Sequence, residues 1–555
     1  MDRHAHVGND VFTDLEVFVS YTHSHENTVV HSLLQSHTLA TDGARREFER
    51  RLKTPFACAD TLRAFQRRVE SLRLKREPAL LDRVRDSHHH MVWLRDESRG
   101  EDEVLDATRN VYFKFRIFDR MGCNDRPALL NMLNAYNIAL SPCVTILSPI
   151  IYFILPYIVI VRKFRMRFSF KEFLAILWRA VKVIMMQNGT VAKMQVASFA
   201  LSLFLYGHGV LGSVSTARDA YRVARYLHER VEGVCGHLRA GLALLDHYEP
   251  PEIAAAVRAS LAGVERALHW ANLGARLTAF RALKDRVDLR SFAESVDALV
   301  CDLLVVDVSK RMAPVTYVHD ATPTIRLLGM RHPCIEDGVP NDVRVDGTNW
   351  LITGPNAAGK STLVKAVATN VLLAQTLGFA FATEAAITPF AWICTHINIP
   401  DCKGIESLFQ AEMNRCGACV DVVRSLPPSH LGLIVLDEIF NSTNVVEGIS
   451  GAYAILDTLS QHPNACTLIT THYPYLAKLP RFKKRRMDAD LSKDGRIAFP
   501  YRLQRGVSRQ YIAVEMLREK FDPIIVEKAL AVKRSILGLR EHVDHNSEAG
   551  ADGAP

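Results

Sequence analysis

The stretch Trp350-Leu-Ile-Thr-Gly-Pro-Asn-Ala-Ala-Gly-Lys-Ser-Thr362 decides the fold of the second half of this 555-residue chain. Four strand-forming residues precede a segment that fits GxxxxGK[ST], and a helical pattern follows from Leu363 to Leu377. In this order of strand, loop and helix, backbone N–H groups at a helix N-terminus cradle phosphate oxygens. The predicted nucleotide-binding residues are Gly354, Pro355, Asn356, Ala357, Ala358, Gly359, Lys360, Ser361 and Thr362.

Four side chains are expected to do the chemistry of an ATPase around this loop. Lys360 is expected to reach the β- and γ-phosphates of ATP, and the hydroxyl of Ser361 to bind Mg²⁺. The apolar run at residues 433–436 predicts a buried parallel strand, and it leads into Asp437 and Glu438. At the end of that strand, Asp437 is expected to hold Mg²⁺ and Glu438 to activate the attacking water.

A further strand pattern, residues 465–471, delivers His472. After a phosphate loop and an acidic pair, a histidine at a strand end predicts a switch ring that senses the γ-phosphate through a hydrogen bond. The predicted catalytic residues are therefore Glu438 and His472. Apolar strand-like runs alternate with helical patterns through residues 324–515, which is typical of an α/β domain.

The rest of the chain divides by composition and charge. We predict a helical N-terminal region that begins a lever or core domain, a hydrophobic insert, the continuation of the helical domain, a P-loop ATPase domain and a disordered tail. These parts cover residues 1–126, 127–217, 218–315, 316–540 and 541–555, in that order.

Taken together, the motifs resemble the MutS family of DNA mismatch repair ATPases, over roughly residues 296–540. The segments that carry the resemblance are Arg331-His-Pro333, Val339-Pro-Asn-Asp342, Gly354-Pro-Asn356, Ser407-Leu-Phe-Gln-Ala-Glu-Met413, Leu436-Asp-Glu-Ile-Phe-Asn-Ser-Thr443, Thr471-His-Tyr473 and Tyr501-Arg-Leu-Gln-Arg-Gly-Val-Ser508. Weaker similarity at Gly43-Ala-Arg45 and Leu52-Lys-Thr-Pro55 resembles the start of the family's helical lever domain.

This resemblance implies a fold, cofactors and partners. The fold class would be α+α/β, a helical lever or core domain followed by an ABC-like P-loop α/β ATPase domain. The cofactors would be ATP and Mg²⁺, and the partner double-stranded or structured DNA, mismatched DNA included. Hydrolysis would drive a clamp-like conformational change in a homodimer, in which Ser407 acts in trans on the nucleotide of the partner subunit.

The sequence also departs from the family pattern. Ala357 and Ala358 stand where the family carries Met-Gly or Thr-Gly, so nucleotide affinity or kinetics are expected to differ. Residues 440–442 replace an arginine-containing segment, and no aromatic residue that could stack on adenine is evident near Gly338. The family's mismatch-reading domain, with its Phe-x-Glu motif, is expected to be absent. Two chance matches to that motif, at residues 170–172 and 292–294, lie in helical patterns.

Two apolar segments, residues 140–161 and 195–212, suit a membrane attachment. No charge occurs from Pro127 to Val161, and about 20 apolar residues are enough to span a bilayer. Prolines recur at 142, 149 and 156, and membrane helices tolerate interior prolines better than soluble helices do. The alternative is that both segments are buried helices of the lever domain.

Membrane topology stays open at this point. Residues 162–193 carry eight basic residues and one acidic residue, which positive-inside counting places on the cytoplasmic side, yet the ATPase must also face ATP. Re-entrant or interfacial segments would reconcile the two. A membrane-tethered ATPase that uses the MutS-type engine on a non-DNA or protein partner is therefore the alternative function.

Broader features set the remaining expectations. The net charge of +8 is compatible with nucleic acid or an anionic membrane surface. The N-terminus lacks a basic-then-apolar signal pattern, so an intracellular location is expected, nuclear or cytoplasmic, with membrane association as the alternative. The Leu-Ser-Gly-Gly-Gln signature of ABC transporters and condensin-like ATPases is not found, which disfavours that class.

Overall fold

The computed structural model divides the chain into two compact units. The first, the sheet unit, comprises residues 1–76 and 300–555, and the second, the helical unit, comprises residues 77–299. The structure describes residues 4–8, 10–21, 27–35, 37, 39–97, 111–167, 169–186, 190–248, 254–255, 257–259, 261–262, 265, 273–284, 288–397, 407–492, 497–510 and 512–535. The predicted disordered tail, residues 541–555, lies outside the described residues.

A seven-stranded sheet forms the centre of the sheet unit, in the order β1-β8-β9-β10-β5-β11-β14. All neighbouring strands pair in parallel except β11 and β14. Its strands are β1 (His6–Val7), β5 (Asn349–Thr353), β8 (Trp392–His396), β9 (Gly432–Asp437), β10 (Ala465–Thr471), β11 (Phe482–Arg486) and β14 (Gln504–Arg505). Every residue of β5, β8 and β10 is buried, as expected for parallel strands covered on both faces.

Two smaller sheets accompany the main sheet. One has five strands in the order β4-β3-β7-β2-β6, and the other pairs β12 with β13. These strands are β2 (Ala313–Tyr317), β3 (Thr324–Met330), β4 (Asn341–Asp346), β6 (Phe379–Ala380), β7 (Glu384–Ile387), β12 (Asp490–Leu491) and β13 (Ile497–Ala498).

Helices of the sheet unit come from both ends of the chain. They are α1 (Val11–Asp14), α2 (Val29–Leu34), α3 (Asp42–Lys53) and α4 (Ala59–Leu74), then α13 (Lys360–Thr376), α14 (Leu408–Ser425) and α15 (Val445–Ser460). Residues 523–535 are also helical. Cys416 and Val423 of α14 and Leu456 of α15 join Ile434 and Ile469 of the strands in one buried apolar cluster. That packing anchors the loops that follow β9 and β10.

The helical unit contains α5 (Pro78–Val92), α6 (Arg116–Arg120), α7 (Pro127–Ala135), α8 (Ser141–Lys163), α9 (Phe170–Met186), α10 (Thr190–Tyr248) and α11 (Leu273–Lys284). Helix α12 (Asp288–Val308) begins in the helical unit and ends in the sheet unit, and π-helical turns occupy Trp93–Glu97 and Tyr136–Leu140. Helix α10 is 59 residues long, and it packs against α5, α8, α9 and α11. This mixture of helices and sheets confirms the predicted fold class at its coarse level, and the predicted domain boundaries stay predictions.

Two helices are long and apolar enough to cross a membrane, judged by length and composition. They cover Pro127–Ile151 and Ala197–Tyr248, and 6% and 0% of their apolar windows are buried. Within these windows almost no described side chain is buried, so the structure does not place the apolar runs in a core formed by this chain. Helix α8 continues through Pro149 and Pro156.

Candidate nucleotide site

The predicted site residues meet where three parallel strands end. Strand β10 lies between β5 and β9, so the segments after all three strands emerge at one edge of the sheet. In open α/β sheets, ligands bind at the carboxyl ends of the strands. The loop at residues 354–359 follows β5, the acidic pair ends β9, and His472 follows β10.

The backbone of the loop explains its small residues. A Cβ atom at Gly354 would lie 2.2 Å from the carbonyl oxygen of Met487, so this position requires glycine. Gly359, with φ 88°, begins α13, and Ala357 also has a positive φ of 66°. The strained alanine is thus Ala357, whereas Ala358 is buried outside the left-handed region, which corrects the expectation that placed the backbone constraint at Ala358.

Lys360 lies at the first turn of α13 and is buried, with 4% of its side chain exposed. Its Nζ donates a hydrogen bond to the carbonyl oxygen of Pro355 at 3.1 Å and lies 3.1 Å from Oε1 of Glu438. A buried ammonium needs such partners, because an unpaired charge away from water is costly. The lysine is thus held by two protein oxygens beside the loop.

Asp437 accepts hydrogen bonds from two hydroxyls. Ser361 Oγ donates to its Oδ1 at 3.0 Å, and Thr470 Oγ1 of the neighbouring strand donates to the same oxygen. Burial raises the pKa of Asp437 above its ordinary range, against the lowering effect of these hydrogen bonds. A buried carboxylate beside a serine hydroxyl is an oxygen donor set that suits Mg²⁺.

Glu438 stands in the left-handed region, with φ 47°, and collects three polar partners. His472 Nδ1 lies 3.6 Å from Oε2, Asn441 Nδ2 donates to Oε2 at 3.1 Å, and Lys360 approaches Oε1. The His472 ring and the Lys360 ammonium together hold the pKa of Glu438 at about 2. The carboxylate is therefore charged throughout the physiological range and able to accept hydrogen bonds.

The segment that departs from the family pattern, residues 440–442, has its own network. Phe440 is buried with φ 59°, and its carbonyl oxygen accepts a hydrogen bond from Tyr473 Oη at 3.3 Å. Ser442 Oγ donates to Oε2 of Glu412 in α14 at 2.9 Å. Through Asn441 this segment binds the candidate catalytic carboxylate, a contact that the sequence pattern did not indicate.

A cavity of about 770 Å³ opens beside the loop. It is lined by Met330, Arg331, His332, Ile335, Asp337, Gly338, Val339, Asn341, Asn356, Ala357, Gly359, Lys360, Ser361, Thr362, Leu363, Ala366, Glu438, Met487 and Tyr501. The aromatic residue that the sequence did not reveal near Gly338 is Tyr501, 163 positions further along the chain. A Cβ at Gly359 would lie 2.9 Å from Tyr501 Cδ1, so the phenol ring covers the loop at the start of α13.

A second cavity, of about 640 Å³, lies on the side of His472. Its walls combine Gly354, Pro355, Asn356, Glu438 and His472 with the C-terminal residues Ile512, Ala513, Val514, Ala529, Val532 and Lys533. Asn356 and Glu438 border both cavities. The carboxylate of Glu438 thus lies between the face beside Lys360 and the face beside His472.

The structure brings most predicted site residues together, with one exception. Residues 354–362, Asp437, Glu438 and His472 surround the same edge of the sheet. Ser407 instead caps α14, where its Oγ accepts a hydrogen bond from the backbone N–H of Gln410 at 3.2 Å, and it is not among the residues that line the two cavities. The chance matches to Phe-x-Glu lie on α9 and α12, where Phe292 is fully buried.

The C-terminal half of this chain is similar in sequence to known proteins. Residues 350–536 match the family model of MutS domain V. The DNA mismatch repair protein MutS of Bacteroides thetaiotaomicron is 30% identical over 279 residues, which is 47% of this chain and 31% of that protein. MutS of Thermus thermophilus is 31% identical, over 47% of this chain and 33% of its own length. The DNA mismatch repair protein MSH3 of Phaeosphaeria nodorum is 30% identical, over 47% of this chain and 25% of its length. The chain thus spans about a quarter to a third of the length of these curated relatives.

Proposed function

This chain belongs to the MutS family through its C-terminal half, and on that premise we propose that it is a Mg²⁺-dependent ATPase that acts on mismatched or otherwise structured DNA. The observation that carries the proposal is the meeting of Lys360, Asp437, Glu438 and His472 around one phosphate-binding loop. Each of these groups has a defined task in phosphoryl transfer to water.

Ser361 and Asp437 are the residues that would hold Mg²⁺. Their oxygens are 3.0 Å apart at the end of β9, and hard cations prefer such oxygen ligands. When bound, Mg²⁺ neutralises charge on the phosphates of ATP. Thr470 holds Asp437 in place from the neighbouring strand.

Lys360 would bind the phosphates of ATP, and Glu438 would activate the attacking water. The backbone N–H groups at the start of α13 and the Lys360 ammonium bind phosphate oxygens, which draws the ammonium away from Glu438. The released carboxylate orients a water for attack and accepts its proton. His472 and Asn441 fix the carboxylate through Oε2, so that Oε1 is the atom left to face the water.

DNA coupling is proposed from the family and from charge. The relatives are named as DNA mismatch repair proteins, and this chain carries a net charge of +8, which favours a polyanion. We propose that two copies form a homodimer inside the cell. ATP hydrolysis would then drive a clamp-like conformational change of this dimer on DNA. Ser407, at the exposed start of α14, would contact the nucleotide of the second copy.

The decisive experiment measures Mg²⁺-dependent ATP turnover with and without homoduplex, mismatched and branched DNA. We expect turnover that DNA modulates and that Glu438→Ala abolishes. A protein without turnover under any condition would overturn the ATPase. ATP turnover that no DNA changes would overturn the DNA coupling. It would favour the alternative, a membrane-tethered ATPase that acts on a protein partner.

A further inference from the structure

We propose that the apolar hairpin, defined as α8 together with residues 190–217 of α10, inserts into a lipid bilayer, and that α9 and the basic residues beside it bind anionic phosphate headgroups. This inference concerns the helical unit and does not rest on the proposed function. The occupant we commit to is a bilayer with anionic lipids.

The hairpin exposes apolar side chains on the outward side of its helices. On α8, Val144, Ile146, Leu147, Ile151 and Leu155 are each about half exposed, and at 100° per residue they spread over about half of the helix circumference. A helix that is apolar all round belongs in a protein core or in a membrane, and this one is not in the core. The 23 residues of α8 extend about 34 Å, close to the thickness of a bilayer's hydrocarbon layer.

Helix α10, which packs against α8, also exposes apolar side chains. Phe204, Leu205 and Leu211 are 67%, 58% and 72% exposed, and no charged residue occurs from Met194 to Ala217. In water these side chains of two helices would form an exposed apolar surface of the kind that marks a membrane or partner interaction site.

Several polar side chains of the hairpin donate hydrogen bonds within it, as a hydrocarbon environment requires. Ser141 Oγ and Ser213 Oγ lie 3.1 Å apart, and Tyr206 Oη donates to the carbonyl oxygen of Ile146 at 3.0 Å, so the two helices are joined by hydrogen bonds between them. Ser148 Oγ donates at 2.9 Å to the carbonyl oxygen of Thr145.

That serine contact has a specific reason in this helix. Pro149 lacks the backbone N–H that would bond the carbonyl oxygen of Thr145, four residues earlier. Ser148 supplies the missing donor from its side chain. In water a solvent molecule would do the same, so an internal donor at this position suits a helix that is shielded from water.

Helix α9 provides the second, independent observation, because it is amphipathic and basic. Lys171, Glu172, Arg179 and Lys182 fall on one narrow face when residues are placed at 100° intervals, and apolar residues fill the remaining surface. Trp178 is 71% exposed at the border of the two faces. This pattern of cationic face, apolar face and bordering tryptophan is typical of helices that lie in the membrane interface.

The charges at this end of the hairpin are complementary to anionic lipid. Arg162 and Lys163 end α8, Arg165 and Arg167 lie between α8 and α9, and all four are exposed. Tyr157 of α8 packs against Phe170 and Phe173 of α9, with ring centroids 5.1 and 5.6 Å apart, which fixes α9 to the end of the hairpin. The basic residues therefore collect where the apolar surface ends, at the depth of lipid phosphates.

The test is flotation of the full chain, purified in detergent, with vesicles of phosphatidylcholine alone or mixed with anionic phosphatidylglycerol. We expect flotation with both, resistance to alkaline carbonate, and stronger binding to the anionic vesicles. Leu147→Arg and Phe204→Arg should each reduce partitioning about 100-fold. Leu74→Arg, at an 81% exposed leucine of the sheet unit, is the matched control and should float as the unchanged protein does.

A second variant separates the two parts of the proposal. Replacing Lys171, Arg179 and Lys182 by Gln should remove the preference for anionic vesicles, by about fivefold per residue, and leave binding to phosphatidylcholine in place. A protein that stays monodisperse without detergent and floats with neither vesicle overturns the proposal. An oligomer that floats with neither vesicle type also overturns the proposal, because a second copy of the chain would then cover the hairpin. ATP turnover of the full chain is a separate measurement, and its result bears only on the proposed ATPase function.

Discussion

The Nζ atom of Lys360 and the Oε1 atom of Glu438 form an ion pair at 3.1 Å, with only 4% and 24% of their side chains exposed. The candidate phosphate-binding cation and the candidate catalytic carboxylate are therefore each other's partner. If ATP binds as proposed, its phosphate oxygens would compete with Glu438 for the Lys360 ammonium, two of whose three N–H donors already have protein partners. Binding and activation of Glu438 would thus be one event.

Glu438→Gln should separate binding from hydrolysis. The amide cannot accept a proton from water, so ATP turnover should fall at least 100-fold, within the usual range for loss of a general base. The amide also competes less for Lys360, so affinity for ATP should be retained or increased. Titration calorimetry and steady-state turnover measure the two quantities on the same preparation.

Glu447→Gln is the matched control for that variant. Glu447 lies in the first turn of α15, where it accepts a hydrogen bond from Thr443 Oγ1 at 3.3 Å and does not line the cavities. Its turnover should remain within about twofold of the original, as for most exposed substitutions. If Glu438→Gln kept full turnover, another group would have to be the base.

Thr470→Val should raise the Mg²⁺ concentration needed for half-maximal turnover by about 10–100-fold, the usual effect of losing a contact that orients a metal ligand. The reason is that Thr470 Oγ1 donates to Oδ1 of Asp437, the oxygen that Ser361 also contacts. Turnover at saturating Mg²⁺ should largely recover. A magnesium titration of ATP turnover makes the measurement.

Thr467→Val, on the same strand, is the control for that substitution. The Thr467 hydroxyl is fully buried and has no hydrogen-bond partner among the described residues. Removing an unsatisfied polar atom should stabilise the fold by about 1 kcal/mol and leave the magnesium requirement unchanged. Equal magnesium shifts in both variants would show that any threonine loss in β10 disturbs the site, and the specific role of Thr470 would be wrong.

How much was visible in the sequence depends on the range of each interaction. The loop, its strand and α13 are contiguous, so spacing alone predicted them, and the apolar run of β9 predicted where Asp437 and Glu438 would lie. Thr470 and Tyr501 could not be found in that way. Their partners lie 33 and more than 100 residues away, and only the pairing of β10 with β9 and the return of the chain after β13 bring them to the site.

The ion pair between Lys360 and Glu438 could not be predicted from the sequence either. The motifs predict that Lys360 contacts phosphate and that Glu438 contacts water, and they do not indicate the contact between the two side chains. The exposure of α8 is a different case. A charge-free run predicts either a buried helix or a membrane helix, and only the packing of the helical unit decides that its apolar side chains face outward.

Asp437→Asn should abolish Mg²⁺-dependent turnover and stabilise the fold. Burial raises the pKa of Asp437, so its charged form costs folding free energy at every pH above that raised value. The neutral amide removes this cost, and the nucleotide-free variant should melt at a higher temperature than the original at pH 7, while Mg²⁺-dependent turnover is lost. As pH falls toward 3.8, the ordinary value for the group, the original also becomes protonated and the difference should shrink.

The pH dependence is what distinguishes this explanation from a general packing effect. Thermal melts of both proteins between neutral and acid pH provide the measurement, and Asp421→Asn, at an exposed position of α14, is the control and should show no such trend. A variant that is less stable than the original at pH 7 would mean that hydrogen bonds from Ser361 and Thr470 outweigh the cost of burial.

Tyr501→Ala should weaken ATP binding by about 2–10-fold, which corresponds to the loss of one aromatic contact. The ring lies over Gly359 in the 770 Å³ cavity, near Gly338, and it is the described aromatic side chain available there to stack on a nucleotide base. Tyr501→Phe keeps the ring and should keep the affinity. If stacking is the contribution, both variants should bind inorganic triphosphate as the original does, because the phosphates are held by the loop and by Lys360. Equal losses for ATP and triphosphate would instead mean that Tyr501 supports the backbone of the loop at Gly359, and the stacking role would be wrong.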